Sequence, residues 1–547
     1  MAVEHRLSMS LSSDESTKVV PPYWGCGQSH QLRSQFHLLA ISYIRQKVFQ
    51  IDRLASLRYY TYTKYDILKR YPVRFYNRKR ELALLDKLFA RPGGQMFVLY
   101  GRRRVGKTAL LGHWLETRKH PALFWTADRT SATAQLRSFS RALRSHTNPS
   151  QPVPDDFTYG NWESALDEVA RLAQSGRVVV VLDEFTYLIE SEPALPSILQ
   201  RLWDHQLKHS NLALVLTGSH AGMIEREVLT YRSPLYNRAT SSLHLQPMSF
   251  GVLPVFLPKY SAEERAAVYA CVGGVPQYLE LFDTNLPVKE NIEDMLTNQM
   301  IVDDAGALLR DQLGDPRNYV AVVEAIASGF TRMSEIAKMA GLPLSNISKY
   351  LDVLQHLSVI ARQVPATVSK PEQSKQGRYQ IIDHYLRFYY RFIAPSRSEV
   401  ERGRIKQVSQ NIQKHLSEFV GTYVFEEISR EWVSAQADSG RLPFVPRRVG
   451  SFWGSGKPQI DVVAINEDEH ALLLGECKWT AEPIRKHVVE DLLARAPQVI
   501  PEPVERWQVT YALFSRSGFT DEARQAMKGH KCLWVSLDQL DADLREV

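Results

Sequence analysis

Five short apolar runs cross the first half of the chain, each separated from the next by a helix-length stretch: QMFVLY at 95–100, ALFWTAD at 122–128, RVVVVLDE at 177–184, LALVLTGSH at 212–220 and SSLHLQP at 241–247. Val178 to Leu182 is apolar without interruption, the pattern of a strand buried on both faces. Strands alternating with helices predict a parallel sheet covered on both sides, and so an α/β domain. From 319 to 363 the spacing changes to three helix-length pieces with apolar residues three and four apart, YVAVVEAIASGFTRMSEIAKMAGLPLSNISKYLDVLQHLSVIARQ. Thr331 or Ser334 is expected to cap the second piece and Ser345 the third. This is helix-turn-helix spacing with NISKYLDVLQHL in the recognition position. The stretch SVIARQVPATVSKPEQSKQGRYQIID (358–383) reads as a β-wing with Lys370, Lys375 and Arg378. In the last quarter, GTYVFEEISREWV (421–433) predicts an amphipathic helix. Three strands, a helix, a strand and a final helix-strand pair follow it.

Chemistry sits at the ends of these runs. After QMFVLY come Gly101, four residues, Gly106, Lys107 and Thr108, the spacing of a P-loop between a strand and a helix. The glycines let successive N–H groups and the helix N-terminus face phosphates. Lys107 is placed to reach the β- and γ-phosphates of ATP, and the Thr108 hydroxyl to hold Mg²⁺. The nucleotide-binding stretch is thus Gly101, Arg102, Arg103, Arg104, Val105, Gly106, Lys107, Thr108 and Ala109. The three arginine side chains, at positions where the loop uses backbone, are free to face a nucleotide, a partner or solvent. At the end of the buried run, Asp183 can hold Mg²⁺ through water, while Glu184 can orient and deprotonate the attacking water. Thr217 and Ser219, closing the next strand, are placed to sense the γ-phosphate.

A second constellation lies near the C-terminus. Asp461 opens one strand, and Glu476 and Lys478 stand two apart on the next, projecting from one face. Hairpin pairing brings Asp461 beside them. Two carboxylates can bind Mg²⁺, and the Lys478 ammonium can orient or help deprotonate a water attacking a phosphodiester. The order αβββαβ is that of the PD-(D/E)xK nuclease fold, whose GxxxFE pattern is matched by Gly421 to Glu426 and adds Glu426 as a third acid.

FYNRKRELALL (75–85), YGRRRVGKTAL, VVLDEFTYL, LTGSHAGMI, SPLYNRAT (233–240), LQPMSF and VGGVPQYLE (272–280) follow one another in this chain. In this it resembles the archaeal-type ATPase family, a STAND-like group of additional-strand, AAA-like P-loop ATPases. The resemblance spans most of 73–547. It implies that Arg238 is a finger onto a nucleotide's γ-phosphate, that Gly273–Pro276 opens a helical lid, and that the C-terminal domain is restriction-endonuclease-like. No clear arginine follows GGVP as a second sensor. The expected organisation is an extension at 1–72, an ATPase core at 73–255, a lid at 256–318, a winged helix at 319–380, a helical connector at 381–418 and a nuclease-like domain at 419–547.

Composition narrows the choice of partner only a little. The formal charge of +7, with 67 basic residues spread against 60 acidic ones, permits nucleic acid without selecting it. DNA is the expected macromolecular partner, and a homo-oligomer is compatible. The winged helix either reads the major groove through Asn346, Ser348 and Lys349 or serves as a packing element that moves with nucleotide state. No apolar stretch approaches the ~20 residues of a membrane span. Cys26, Cys271, Cys477 and Cys532 are far apart with no CxxC spacing, so neither disulfides nor zinc are expected and a cytoplasmic location is. Residues 1–72 are polar at the start and are expected to be mobile. The expected function is Mg-dependent ATP hydrolysis switching a winged helix and a DNA-directed, nuclease-like domain. The alternative is a regulatory switch whose C-terminal domain binds DNA or protein without cutting.

Overall fold

Burial explains the first sheet. β1 (Gln95–Tyr100), β2 (Ala122–Thr126), β3 (Val178–Asp183), β4 (Leu212–Gly218) and β5 (Ser241–His244) are parallel and ordered β2-β3-β4-β1-β5. Val180 and Leu182 pack into one apolar core and Val179 and Val181 into another, so an unbroken apolar run serves both faces. β4 is the strand inserted between β1 and β3, whereas β2, which lies between them in sequence, is displaced to the edge. The structure is a computed structural model and describes residues 75–545 apart from 311, 312, 314, 455 and 456. The mobile extension expected at 1–72 lies outside the described residues, as does Cys26.

The P-loop helix α1 (Lys107–Arg118) follows β1. Beyond the sheet come α2 (Ala262–Val272), closed at its start by a Ser261/Glu264 capping box, and α3 (Gln299–Arg310). Next are α4 (Arg317–Ala327), α5 (Met333–Met339) and α6 (Leu344–His356), with an antiparallel ribbon of β6 (Ile360–Gln363) and β7 (Arg378–Ile381). The caps differ from those expected. α5 begins after Arg332, whose amide donates to the Glu335 carboxylate at 3.3 Å; Ser334 is already helical. α6 begins behind Pro343, with φ at −59°, because the proline ring sets the turn that Ser345 was expected to cap.

α7 (His384–Phe388) is capped by Asp383, whose carboxylate accepts from the Leu386 amide at 3.0 Å. α8 (Ile405–Phe419) runs through a widened turn at Val420–Phe425 into α9 (Glu426–Asp438). The second sheet is mixed. β8 (Arg448–Gly454), β9 (Lys457–Asn466) and β10 (Ala471–Lys478) are antiparallel, and β11 (Gln508–Ser515) and β12 (Cys532–Ser536) add to β10 in parallel. α10 (Lys486–Arg495) lies between β10 and β11, and α11 (Leu537–Arg545) closes the described chain.

The parts are fastened at their seams. The ribbon lies on the edge strand β8: the Ala366 amide donates to the Ser451 carbonyl at 2.9 Å, and Arg448 Nε donates to the Ala366 carbonyl at 2.8 Å. Arg378 stacks 4.8 Å above the Trp453 ring. Covering β8 removes an open edge from the second sheet. Lys370 and Lys375 remain exposed, as do Asn346, Ser348 and Lys349 on α6. No helix among the described residues is long and apolar enough to cross a membrane. Cys271, Cys477 and Cys532 are free thiols.

Glu431 on α9 is enclosed where the helix meets Ser249 and Phe250. Burial, then repulsion from Glu427, pushes its carboxyl from 4.5 to about 7 against the opposing bonds from Phe250 and Ser249. The folded state therefore holds this proton more tightly than the unfolded chain. Its favourable contribution is complete below pH 4.5 and is lost as pH rises through about 7. Glu431→Gln is expected to flatten that loss, raising stability at pH 8 relative to pH 5 by up to about 3 kcal/mol. Denaturant midpoints at the two pH values check this.

Candidate functional site

β1 delivers the chain to Gly101 and α1 receives it at Lys107. Gly101 has φ 148°, and a Cβ there would stand 2.5 Å from the Leu245 carbonyl oxygen; Gly106 has φ 99° with open space beside it. Glycine is needed at both, for the close approach and for the left-handed turn that aims the loop amides outward. Lys107 is buried, and its ammonium donates to the carbonyls of Gly101 at 2.9 Å and Arg102 at 3.1 Å and to Ser219 Oγ at 2.9 Å. It is folded back on its own loop.

The ends of β3 and β4 complete the arrangement. Asp183, 1% exposed, accepts from Thr108 Oγ1 at 3.2 Å, from Thr126 Oγ1 at 3.3 Å and from the Thr217 hydroxyl. Glu184 is held in the left-handed region at φ 55°, a strained setting for a non-glycine residue. Its carboxylate accepts the Ser219 amide at 3.1 Å and hydroxyl at 2.6 Å. Ser219 therefore accepts from Lys107 and donates to Glu184, joining the cation, the sensor position and the base.

A 590 Å³ cavity opens over this assembly, lined by Arg103 to Ala109, Glu184 and Ser219. Phe75, Tyr76, Arg78, Tyr187, Met248, Pro276, Gln277 and Glu280 close its remaining sides; of these the sequence gave a role to Pro276 alone, at the opening of the lid. The aromatic pair Phe75–Tyr76, just ahead of the helix Lys79–Phe89, was the available signal. Arg78 is a clamp, donating to the carbonyls of Val105 at 3.3 Å and Gln246 at 2.8 Å. Arg102 and Arg238 do not line the cavity. Arg238 is paired with Asp204 at 2.9 Å. Arg102 turns away from the cavity, pairing with Asp383 at the start of α7 and donating to Tyr278 Oη at 3.3 Å. Arg104 Nε lies 3.1 Å from Asp304, and the guanidinium groups of Arg102 and Arg104 lie 5.5 and 5.6 Å from the Tyr278 ring.

In the second sheet, the β9/β10 register sets Gly475 against Val462. This brings Asp461 alongside Glu476: the Cys477 amide donates to Asp461 Oδ2 at 3.0 Å. Lys478 Nζ donates to Glu476 Oε1 at 2.6 Å, and Arg495 of α10 to Glu476 Oε2 at 2.9 Å. Arg430, one turn along α9 from Glu426, donates to that acid at 3.3 Å and to the Asp461 carbonyl at 2.9 Å. Burial, then repulsion from Asp461, raises Glu426 to about 7; burial, then Glu476, raises Asp461 to about 6. Glu426, Asp461, Glu476 and Lys478 do meet, in company with two arginines the sequence reading missed. Among the described residues no group of three or more His, Cys, Asp or Glu is placed to hold a metal.

Residues 75–282 match a family described as an ATPase domain predominantly from Archaea, and residues 389–489 match a family of archaeal and bacterial proteins of unknown function. An uncharacterized protein of Methanocaldococcus jannaschii is 30% identical over 437 residues, covering 79% of this chain and 94% of that protein. Among solved structures, the Walker-type ATPase of Pyrococcus abyssi superposes with a TM-score of 0.45 at 21% identity, over 58% of this chain and 96% of its own. A signal-transduction ATPase with numerous domains from Pyrococcus horikoshii gives a TM-score of 0.27 at 14% identity, over 66% of this chain and 50% of its own.

Proposed function

From membership of the archaeal-type ATPase family, to which this chain belongs, we propose that it binds and hydrolyses ATP and uses the cycle to switch its winged helix and a DNA-directed C-terminal domain. The observation that carries this reading is the Ser219 bridge between Lys107 and Glu184. The loop amides and the start of α1 receive the phosphates. Lys107 exchanges its two loop carbonyls for phosphate oxygens. Thr108 and Asp183 fit Mg²⁺, since a hydroxyl and a carboxylate already meet at 3.2 Å beside the loop; the ion supplies charge neutralisation at the phosphate oxygens. Glu184, held by both donors of Ser219, is aimed by them and takes the proton of the attacking water. Arg238, outside its own cavity, would serve as a finger only toward the nucleotide of another copy.

Glu184→Gln tests the reading. It should leave ATP bound and lower turnover by about 10²–10⁴-fold, the usual worth of a general base. Phosphate release and calorimetric binding measure the two. Unchanged turnover would remove Glu184 from the chemistry.

For the C-terminal domain, the fold order and the meeting of Asp461, Glu476 and Lys478 support a nuclease-like descent. A second reading, binding without cleavage, is favoured by the pairing of both Glu476 oxygens with Lys478 and Arg495. Circular, linear and single-stranded DNA incubated with the protein and Mg²⁺ or Mn²⁺ separates the two. Cleavage lost at least about a hundredfold in Asp461→Ala and Lys478→Ala would establish catalysis. Binding with intact DNA in all three proteins would establish the second reading.

A further inference from the structure

The phosphate loop is tied by side chains to a segment 281 residues further along the chain. Arg102 is engaged through both backbone and side chain. Its carbonyl accepts the Lys107 ammonium at 3.1 Å, and its guanidinium pairs with Asp383, most of whose surface is covered. Asp383 also caps α7 through the Leu386 amide at 3.0 Å. From the same short helix, His384 Nε2 and Arg387 Nη1 each lie 3.5 Å from Glu427 Oε2. Glu427 adjoins Glu426, the acid that faces Asp461, and both begin α9 directly after the widened turn at Val420–Phe425.

We propose that α7 is a relay from the phosphate loop to the C-terminal acid cluster, with Arg102–Asp383 as its input and His384/Arg387–Glu427 as its output. The inference rests on the ATP-binding reading and concerns how that site is regulated. Lys107 cannot turn to phosphate while it donates to the carbonyl of Arg102. Nucleotide binding therefore disturbs the backbone of the residue whose side chain holds the cap of α7. A displaced α7 carries His384 and Arg387 with it, and Glu427 is the group they grip. α9 meets the widened turn at this point, where a helix adjusts without breaking its ladder.

The pairs are poor candidates for simple adhesive. Removing charges from water costs about as much as their attraction returns, and apolar packing at such a seam often holds better. Paired charges are suited to fixing one of two arrangements, since a shifted partner leaves a buried charge exposed to the full cost. Arg104–Asp304, with Tyr278 donating to Asp304, is a second tie from the same loop to the lid. It reaches α7 only through ring packing, Tyr278 on Tyr385 at 4.8 Å, and holds neither the Asp383 cap nor the grip of His384 and Arg387 on Glu427.

Amide hydrogen exchange of the full chain, with and without Mg²⁺ and a non-hydrolysable ATP analogue, reads both ends. In the unaltered protein the analogue should protect Lys107–Arg118 and change exchange over 384–388 and 420–438 by about fivefold or more. Asp383→Asn keeps an oxygen to cap α7; protection at Lys107–Arg118 should persist while the response at 420–438 falls below about twofold. Glu427→Gln should abolish the response at 420–438 and preserve that at 384–388. A full response at 420–438 in either variant overturns the relay. So does protection at Lys107–Arg118 in the unaltered protein with no response at 420–438, an outcome that leaves the ATP reading standing. Absence of protection at Lys107–Arg118 in the unaltered protein overturns the ATP reading, and the relay loses its input with it.

Discussion

Lys107→Ala should reduce ATP turnover by about 10²–10³-fold, the cost of removing one preorganised electrostatic contact to the transferring group. The side chain is 5% exposed and makes three hydrogen bonds within the loop and to Ser219, so its charge works with little water around it, where electrostatic contacts are strongest. Affinity should also weaken by at least about tenfold, because charge-assisted bonds to phosphate are roughly twice as strong as neutral ones. This separates the variant from Glu184→Gln, which loses turnover and keeps ATP. Phosphate release and titration calorimetry on both variants give the contrast. Turnover within about twofold of the unaltered protein in Lys107→Ala would remove the loop from phosphate binding.

The strands and the loop were legible because their signals are local. Val178–Leu182 is apolar at every position, short and rich in β-branched valine, which favours a strand buried on both faces over a buried helix; the glycine spacing at 101 and 106 is fixed by a turn that other residues make poorly. Glu476 and Lys478 were legible for the same reason, since a two-residue step fixes a common face. The fate of Arg102 and Arg104 was not. Their partners Asp383 and Asp304 are 281 and 200 residues away, and nothing in the local spacing of GRRRVGKT distinguishes an arginine facing phosphate from one facing a lid. Arg495 was hidden likewise on the far end of α10. Arg430, four residues beyond Glu426, had a helical signal that went unused. The caps at Thr331, Ser334 and Ser345 failed because Pro343 and the Arg332 turn set the helix starts first. The ribbon reads as a free wing in sequence, whereas its bonds to Ser451 and Arg448 lay it on β8; that contact depends on two distant segments meeting.

The largest expected change in stability comes from the other end of the chain. Arg265 of α2 and Asp541 of α11 form a buried two-point pair, Nε to Oδ1 at 3.1 Å and Nη2 to Oδ2 at 2.6 Å, with side chains 6% and 3% exposed. The third donor of Arg265 goes to the Tyr260 carbonyl. Asp541→Ala leaves the guanidinium buried with that carbonyl alone, and stranding one member of a buried pair costs roughly 3–5 kcal/mol. An ordinary hydrogen bond is worth about 1 kcal/mol, so a loss in the larger range identifies an uncompensated charge at the seam between lid and C-terminal domain. Asp315→Ala, which breaks the exposed Arg317–Asp315 pair, supplies the contrast and should scarcely move the midpoint, because water replaces the lost partner. Denaturant midpoints for the two variants decide the matter. A loss in Asp541→Ala no greater than that in Asp315→Ala would mean that the seam opens to admit water to Arg265. α11 would then be a detachable cover, and Asp541 would not anchor the C-terminal domain to the lid.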